Sequence, residues 1–147
     1  MKLALAIVAS VSAQAAVAET AILSAPAAYE AMQTGDLILI DIRTPEEWAE
    51  TGVAQGALAL TMHSRDFGAK LTALFAAQPN ANFGLICATG GRTSYVTSVL
   101  EKNGITGVVD VSEGILGNSL GAGWVARDMP VVTADVAMGA YEQMIAE

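Results

Sequence analysis

Short apolar runs set the strongest limit on what this chain can fold into. Leu37-Ile38-Leu39-Ile40 and Phe83-Gly84-Leu85-Ile86 are unbroken, and Val108-Val109-Asp110-Val111 is interrupted once. A run with no alternating polar residue has no face to give to water, so it reads as a strand covered on both sides. A shorter strand is expected over Ala57 to Thr61. Helical patterns lie between and around these runs: Pro26 to Gln33, Arg65 to Gln78, Thr93 to Lys102, and a terminal helix from Thr133 to Ala146 capped by Thr133. Thr44-Pro45-Glu46-Glu47 is a helix start, with Thr44 as N-cap, Pro45 at the first helical position and Glu47 closing a capping box; that helix ends near Gly52. Strands alternating with helices predict an α/β fold, a central and mostly parallel sheet with helices on both faces.

The first residues stand apart from this pattern. Lys2, the apolar stretch Leu3 to Val11 and the Ala16-Val17-Ala18 cleavage site have the form of a secretory signal. The stretch is shorter than the roughly 20 residues of a membrane span. The expectation is a signal peptide over residues 1–18, removed on export to a periplasm or the exterior. Residues 19–147 then form a single domain, with a core over about 24–132 and a C-terminal helix over 133–147. The chain carries 7 Lys and Arg against 15 Asp and Glu; loss of Lys2 leaves 6 against 15, a net −9. So acidic a body argues against nucleic acid or an anionic membrane as partner. An anion handled here needs a local site that opposes the global field.

Cys87 is the only cysteine. It cannot form an internal disulfide, and an exported thiol is a liability unless it is buried or used. One alternative is an inert, buried thiol acting as a small hydrophobe. Its setting points elsewhere. Cys87 ends an apolar strand and opens Cys87-Ala88-Thr89-Gly90-Gly91-Arg92, which leads into a helix. Ligands of parallel sheets gather at such strand ends. The helix start, the Gly90-Gly91 pair and Arg92 together favour a thiolate and form a nest of amides for an anion.

The Cys87–Arg92 loop resembles the active loop of the rhodanese family of sulfurtransferases, six residues that open on a nucleophilic cysteine. Leu39-Ile40-Asp41-Ile42-Arg43-Thr44-Pro45-Glu46-Glu47-Trp48 resembles the family's N-terminal signature, continued by Gly52, Gly56 and Ala57. Gly104 to Val108, Glu113-Gly114, Trp124 and Met129-Pro130-Val131 resemble its later segments, so the likeness runs from about Leu37 to Val131. It departs from the pattern at Val53-Ala54-Gln55, at Gly114-Ile115 and in an extra Gly-rich stretch from Gly117 to Gly123.

The resemblance implies a rhodanese-like fold and sulfur transfer through a persulfide on Cys87. The donor is a small sulfane-sulfur anion such as thiosulfate, and the acceptor is cyanide or a thiol, including a protein thiol. No metal or organic cofactor is implied. Ala88, Thr89, Gly90, Gly91 and Arg92 would bind the substrate, with Thr89 as a hydroxyl donor. Asp41 and Arg43 would form a pair bracing the loop from the next strand. His63, the only histidine, reads as a solvated loop residue, and Trp48 and Trp124 as core or rim aromatics. Three rival activities share parts of this pattern. A cysteine phosphatase or arsenate reductase uses Cys-x5-Arg, whereas Cys87 and Arg92 are one residue closer. A thiol oxidoreductase lacks a second cysteine here. A persulfide carrier that turns over poorly alone shares the same nucleophile and stays open.

Overall fold

The structure is a computed structural model that describes residues 19–147; the expected signal peptide, residues 1–18, lies outside the described residues. The elements follow in the order α1 (Ala25–Gln33), β1 (Ile38–Asp41), α2 (Pro45–Thr51), β2 (Val53–Ala54), β3 (Leu58–Ala59), α3 (Phe67–Ala77), β4 (Phe83–Ile86), α4 (Gly91–Lys102), β5 (Val109–Asp110), β6 (Val131–Val132) and α5 (Ala134–Ala146). Strands β3, β1, β4 and β5 form one parallel sheet in that order. The two central strands are the unbroken apolar runs. Their register sets Asp41 of β1 beside Ile86 of β4, one residue short of Cys87.

Side chains leave each strand on alternate faces. Ile38 and Ile40 of β1 and Phe83, Leu85 and Cys87 along β4 therefore share one face, packed against Leu71 and Leu74 of α3, Val96 of α4 and Tyr141 of α5. Leu39 and Ile86 share the other, packed with Ala25 and Ala28 of α1, Trp48 of α2, Ala137 of α5 and Trp124 from the segment before β6. Gly84 falls on this second face, where its missing side chain makes room for Leu37 and Leu39. Residues Ala21 to Leu23 bond to both sides of Asp110 and cover the open edge of β5.

Several details depart from the sequence reading. Val53–Ala54 and Val131–Val132 pair as a two-stranded antiparallel sheet that no apolar pattern marks. Helix α3 starts at Phe67 rather than Arg65: the Phe67 amide closes a turn onto the Ser64 carbonyl at 3.2 Å, and the first helical bond runs from the Lys70 amide to the Asp66 carbonyl at 2.9 Å. Thr133 stands at the N-cap of α5 in an extended conformation, but its side chain makes no capping bond. Among the described residues, no helix is long and apolar enough to cross a membrane.

Candidate active site

The site is assembled by three segments at the carboxyl end of the sheet. The first is the loop after β4. Cys87 ends the strand's apolar face and is 1% exposed. Gly90 follows with φ +91° and caps α4 without a side-chain bond, leaving the first-turn amides of a twelve-residue helix turned toward the loop. The Gly90 amide donates to Cys87 Sγ at 3.2 Å. The thiol lies 3.7 Å from the Thr93 hydroxyl, which itself donates to the Gly90 carbonyl at 3.0 Å.

The second segment, Ser112 to Gly123, fixes which way the loop's peptides point. The amides of Ile115 and Leu116 donate to the carbonyls of Cys87 and Ala88, both at 2.9 Å. The Asn118 side-chain amide donates to the Thr89 carbonyl at 3.0 Å and the Ser112 carbonyl at 2.6 Å. A trans peptide directs its N–H opposite to its C=O. Three consecutive carbonyls held on one side therefore place the amides of Ala88, Thr89 and Gly90 on the other. Among the described residues the Ala88 and Thr89 amides donate to no acceptor, and the Gly90 amide meets the sulfur. The two backbones touch closely. A Cβ on Gly90 would lie 2.3 Å from the Ser112 carbonyl oxygen, and one on Gly114 2.3 Å from that of Ala88.

Glu113 shapes this second segment. It is buried and accepts the Ala25 amide at 2.6 Å, the Gly123 amide at 2.7 Å and the Arg127 guanidinium at 3.1–3.2 Å. Burial alone would raise its pKa; those amides and Arg127 outweigh it and hold the carboxyl below its usual range. The extra Gly-rich stretch thus winds around one carboxylate and carries Asn118 to the back of the loop.

The third segment is α2. Its capping box forms as the sequence implies, the Glu47 amide donating to Thr44 Oγ1 at 3.3 Å and the Thr44 amide to Glu47 Oε2 at 3.0 Å. The same carboxylate takes both terminal nitrogens of Arg92, at 2.6 and 2.7 Å. This bidentate bond first, then the Thr44 amide and the charges of Arg92 and Arg43, overcomes partial burial and brings Glu47 down to about 2. Arg92 is raised in turn, chiefly by Glu47, with the nearby Cys87 sulfur adding to it. Arg92 therefore enters the site as half of an ion pair, where the sequence suggested a full positive charge.

Asp41 and Arg43 form a fully buried pair. Arg43 Nε lies 3.0 and 3.1 Å from the two Asp41 oxygens, and its outer nitrogen 2.8 Å from Oδ2. That same nitrogen also donates to the Gly52 carbonyl at 2.9 Å, and the other terminal nitrogen to Thr51 Oγ1 at 3.0 Å, at the C-terminal end of α2. The pair anchors α2, and through Glu47 that helix reaches Arg92; the link to the loop runs by this longer route. His63 and Thr89 are exposed, and Trp124 is buried with Nε1 donating to the Pro130 carbonyl at 2.8 Å. Asp110, buried behind Thr93, is raised by burial, with Thr93 opposing. The sequence reading gave no site role to Thr93, Glu113 or Asn118, and no second duty to Glu47. Only the helical setting of Thr93 and the capping pattern of Glu47 offered any local signal.

The family model for the rhodanese-like domain matches residues 24–118, and the chain belongs to that family. A Rickettsia rickettsii protein of uncharacterised function is 24% identical over 110 residues, covering 70% of this chain and 89% of the relative. A rhodanese-like domain protein from Staphylococcus aureus superposes with a TM-score of 0.54 at 21% identity, covering 78% of this chain and all (100%) of that one. The polysulfide-sulfur transferase homodimer of Wolinella succinogenes gives 0.53 at 20% identity, covering 78% and 79%. These last two likenesses establish the fold.

Proposed function

We propose that this protein is a sulfurtransferase that carries a sulfane sulfur on Cys87. The observation that supports this most is the loop's peptide orientation: three carbonyls drawn backwards by Ile115, Leu116 and Asn118, and amides directed to the sulfur side. Cys87 is the catalytic residue of this reading. The amides of Ala88 to Arg92 hold the donor's oxyanion and then the persulfide, a task for fixed backbone dipoles in a water-poor site. Asp41 and Arg43 position α2. Export of the processed chain, with cleavage after Ala18, belongs to the same proposal.

With thiosulfate, the Cys87 thiolate attacks the outer sulfur. The new S–S bond forms as the old one breaks, and sulfite leaves with the electron pair. The enzyme persulfide then gives its outer sulfur to cyanide or to an acceptor thiolate, and Cys87 departs as thiolate. Two displacements at sulfur replace one difficult transfer. Because Cys87 is almost wholly enclosed, a slim terminal sulfur suits this site better than a bulky electrophile. Thiocyanate formation from thiosulfate and cyanide tests the reading. Turnover that disappears in Cys87→Ser supports it, and turnover that survives refutes it. A single loading of sulfur without steady-state turnover would identify a carrier serving a partner thiol.

A further inference from the structure

We propose that Glu47 sets the charge class of the sulfur donor: by neutralising Arg92 it suits the Cys87 loop to monoanionic sulfane-sulfur donors and against dianionic ones. This inference rests on the sulfur-transfer reading and deepens it. Both terminal nitrogens of Arg92 are committed to Glu47, and the pair is about a quarter exposed, 27% and 29%. The remaining arginines flanking the site are committed too, Arg43 to Asp41 and Arg127 to Glu113. Among the described residues, Arg65 and Lys102 are the cations without a carboxylate partner. Lys102 ends α4, about 16 Å of helix from the loop at 1.5 Å per residue. Arg65 is exposed on the turn after β3, where salt screens it.

What meets the donor is therefore the loop amides and the start of α4, equivalent to about half a positive charge. That balances much of one negative charge. A second charge finds no guanidinium beside the loop that is without its own carboxylate, and it lies against the Glu47 carboxylate and a protein of net charge −8. Glu47 is held in place by the Thr44 amide as well as by Arg92, so it is not simply displaced when an anion arrives.

Thiosulfate and methanethiosulfonate make the test, since they share one geometry and differ by a methyl group in place of a charged oxygen. In each, the Cys87 thiolate takes the outer sulfur and the S–S bond breaks, releasing sulfite or methanesulfinate. Values of kcat/KM, with cyanide as acceptor, are each corrected for the donor's rate with free cysteine. The wild-type protein is expected to favour methanethiosulfonate. Glu47→Gln keeps an acceptor oxygen for the Thr44 amide, and should shift the ratio toward thiosulfate about tenfold, equivalent to about 1.4 kcal/mol. A wild-type preference for thiosulfate, or a ratio unmoved in folded Glu47→Gln, overturns the inference. If that variant does not fold, added salt must speed the wild-type reaction more for thiosulfate than for methanethiosulfonate, and an equal response overturns it. Sulfur uptake from neither donor defeats the sulfur-transfer reading as well; uptake from both with an unmoved ratio defeats only the assignment to Glu47.

Discussion

Replacing Gly114 by alanine tests whether the shape of the loop, beyond the presence of the thiol, makes the site. Gly114 has φ +69°, and a Cβ there would lie 2.3 Å from the Ala88 carbonyl oxygen and 2.8 Å from that of Cys87. Real Cβ contacts essentially never fall below 3.0 Å, so the backbones must separate by at least 3.0 − 2.3 = 0.7 Å. The Ala88 carbonyl shares its peptide with the Thr89 amide, so the shift turns that donor away from the sulfur. Misplacement by about 1 Å costs about 100-fold in rate. The left-handed conformation adds about 1–2 kcal/mol of strain for alanine. At this chain length such a loss lowers Tm by roughly 3–7 °C. The expected variant is folded by circular dichroism, modestly less stable, and about 100-fold slower in forming the persulfide. Gly68→Ala is the control, because Gly68 lies in α3 with nothing near its Cβ position, and it should match the wild type in rate. Wild-type persulfide formation by Gly114→Ala would refute the claim that the Ser112–Gly123 segment aims the loop.

Asp41→Asn leaves the Arg43 guanidinium buried without its counter-charge. Removing one partner of a buried pair costs about 3–5 kcal/mol, and chemical denaturation should show a lower midpoint with an unchanged m-value; a loss below about 0.5 kcal/mol, typical of surface changes, would mean the pair is solvated. The Glu47–Arg92 pair gives a pH dependence. Glu47 titrates near 4.5 when unfolded and at about 2 in the folded protein, so its stabilisation is complete above about 4.5 and fades as pH falls toward 2. Its partial exposure discounts the full effect to about 1–2 kcal/mol. Across that window Glu47→Gln should therefore lose less stability than the wild type, and parallel acid profiles would contradict the pairing. Asn118→Ala leaves the carbonyls of Thr89 and Ser112 without their shared donor, and should slow persulfide formation by about tenfold while costing about 1 kcal/mol; a rate equal to the wild type would place Asn118 outside the loop's support.

Much of this architecture is legible because it is local. The apolar run Phe83–Ile86 becomes β4 with the bounds its composition suggests, and the Thr44–Glu47 capping box forms within four residues. The Cys87 loop follows from adjacent glycines, and α4 behind it starts at Gly91, two residues before the expected Thr93. What escaped is non-local. Glu47 and Arg92 are 45 positions apart, so nothing in either segment marks the capping glutamate as the arginine's partner. Glu113 reaches back 88 positions to the Ala25 amide, and Asn118 reaches 29 to Thr89. Strands β2 and β6 are two residues each, too short for any periodicity, and exist only because Val53 and Ala54 meet Val132 and Val131. Thr93 faces the sulfur because one helical turn returns it there, a geometry hidden in a segment read only for its helical stripe.

Intact-mass analysis of the protein after exposure to thiosulfate or methanethiosulfonate, followed by peptide mapping, asks most directly whether Cys87 carries sulfur. One added sulfur on the peptide containing Cys87, discharged by cyanide, is the expected result. An unchanged mass with both donors, or an added sulfur retained by Cys87→Ser, would contradict it.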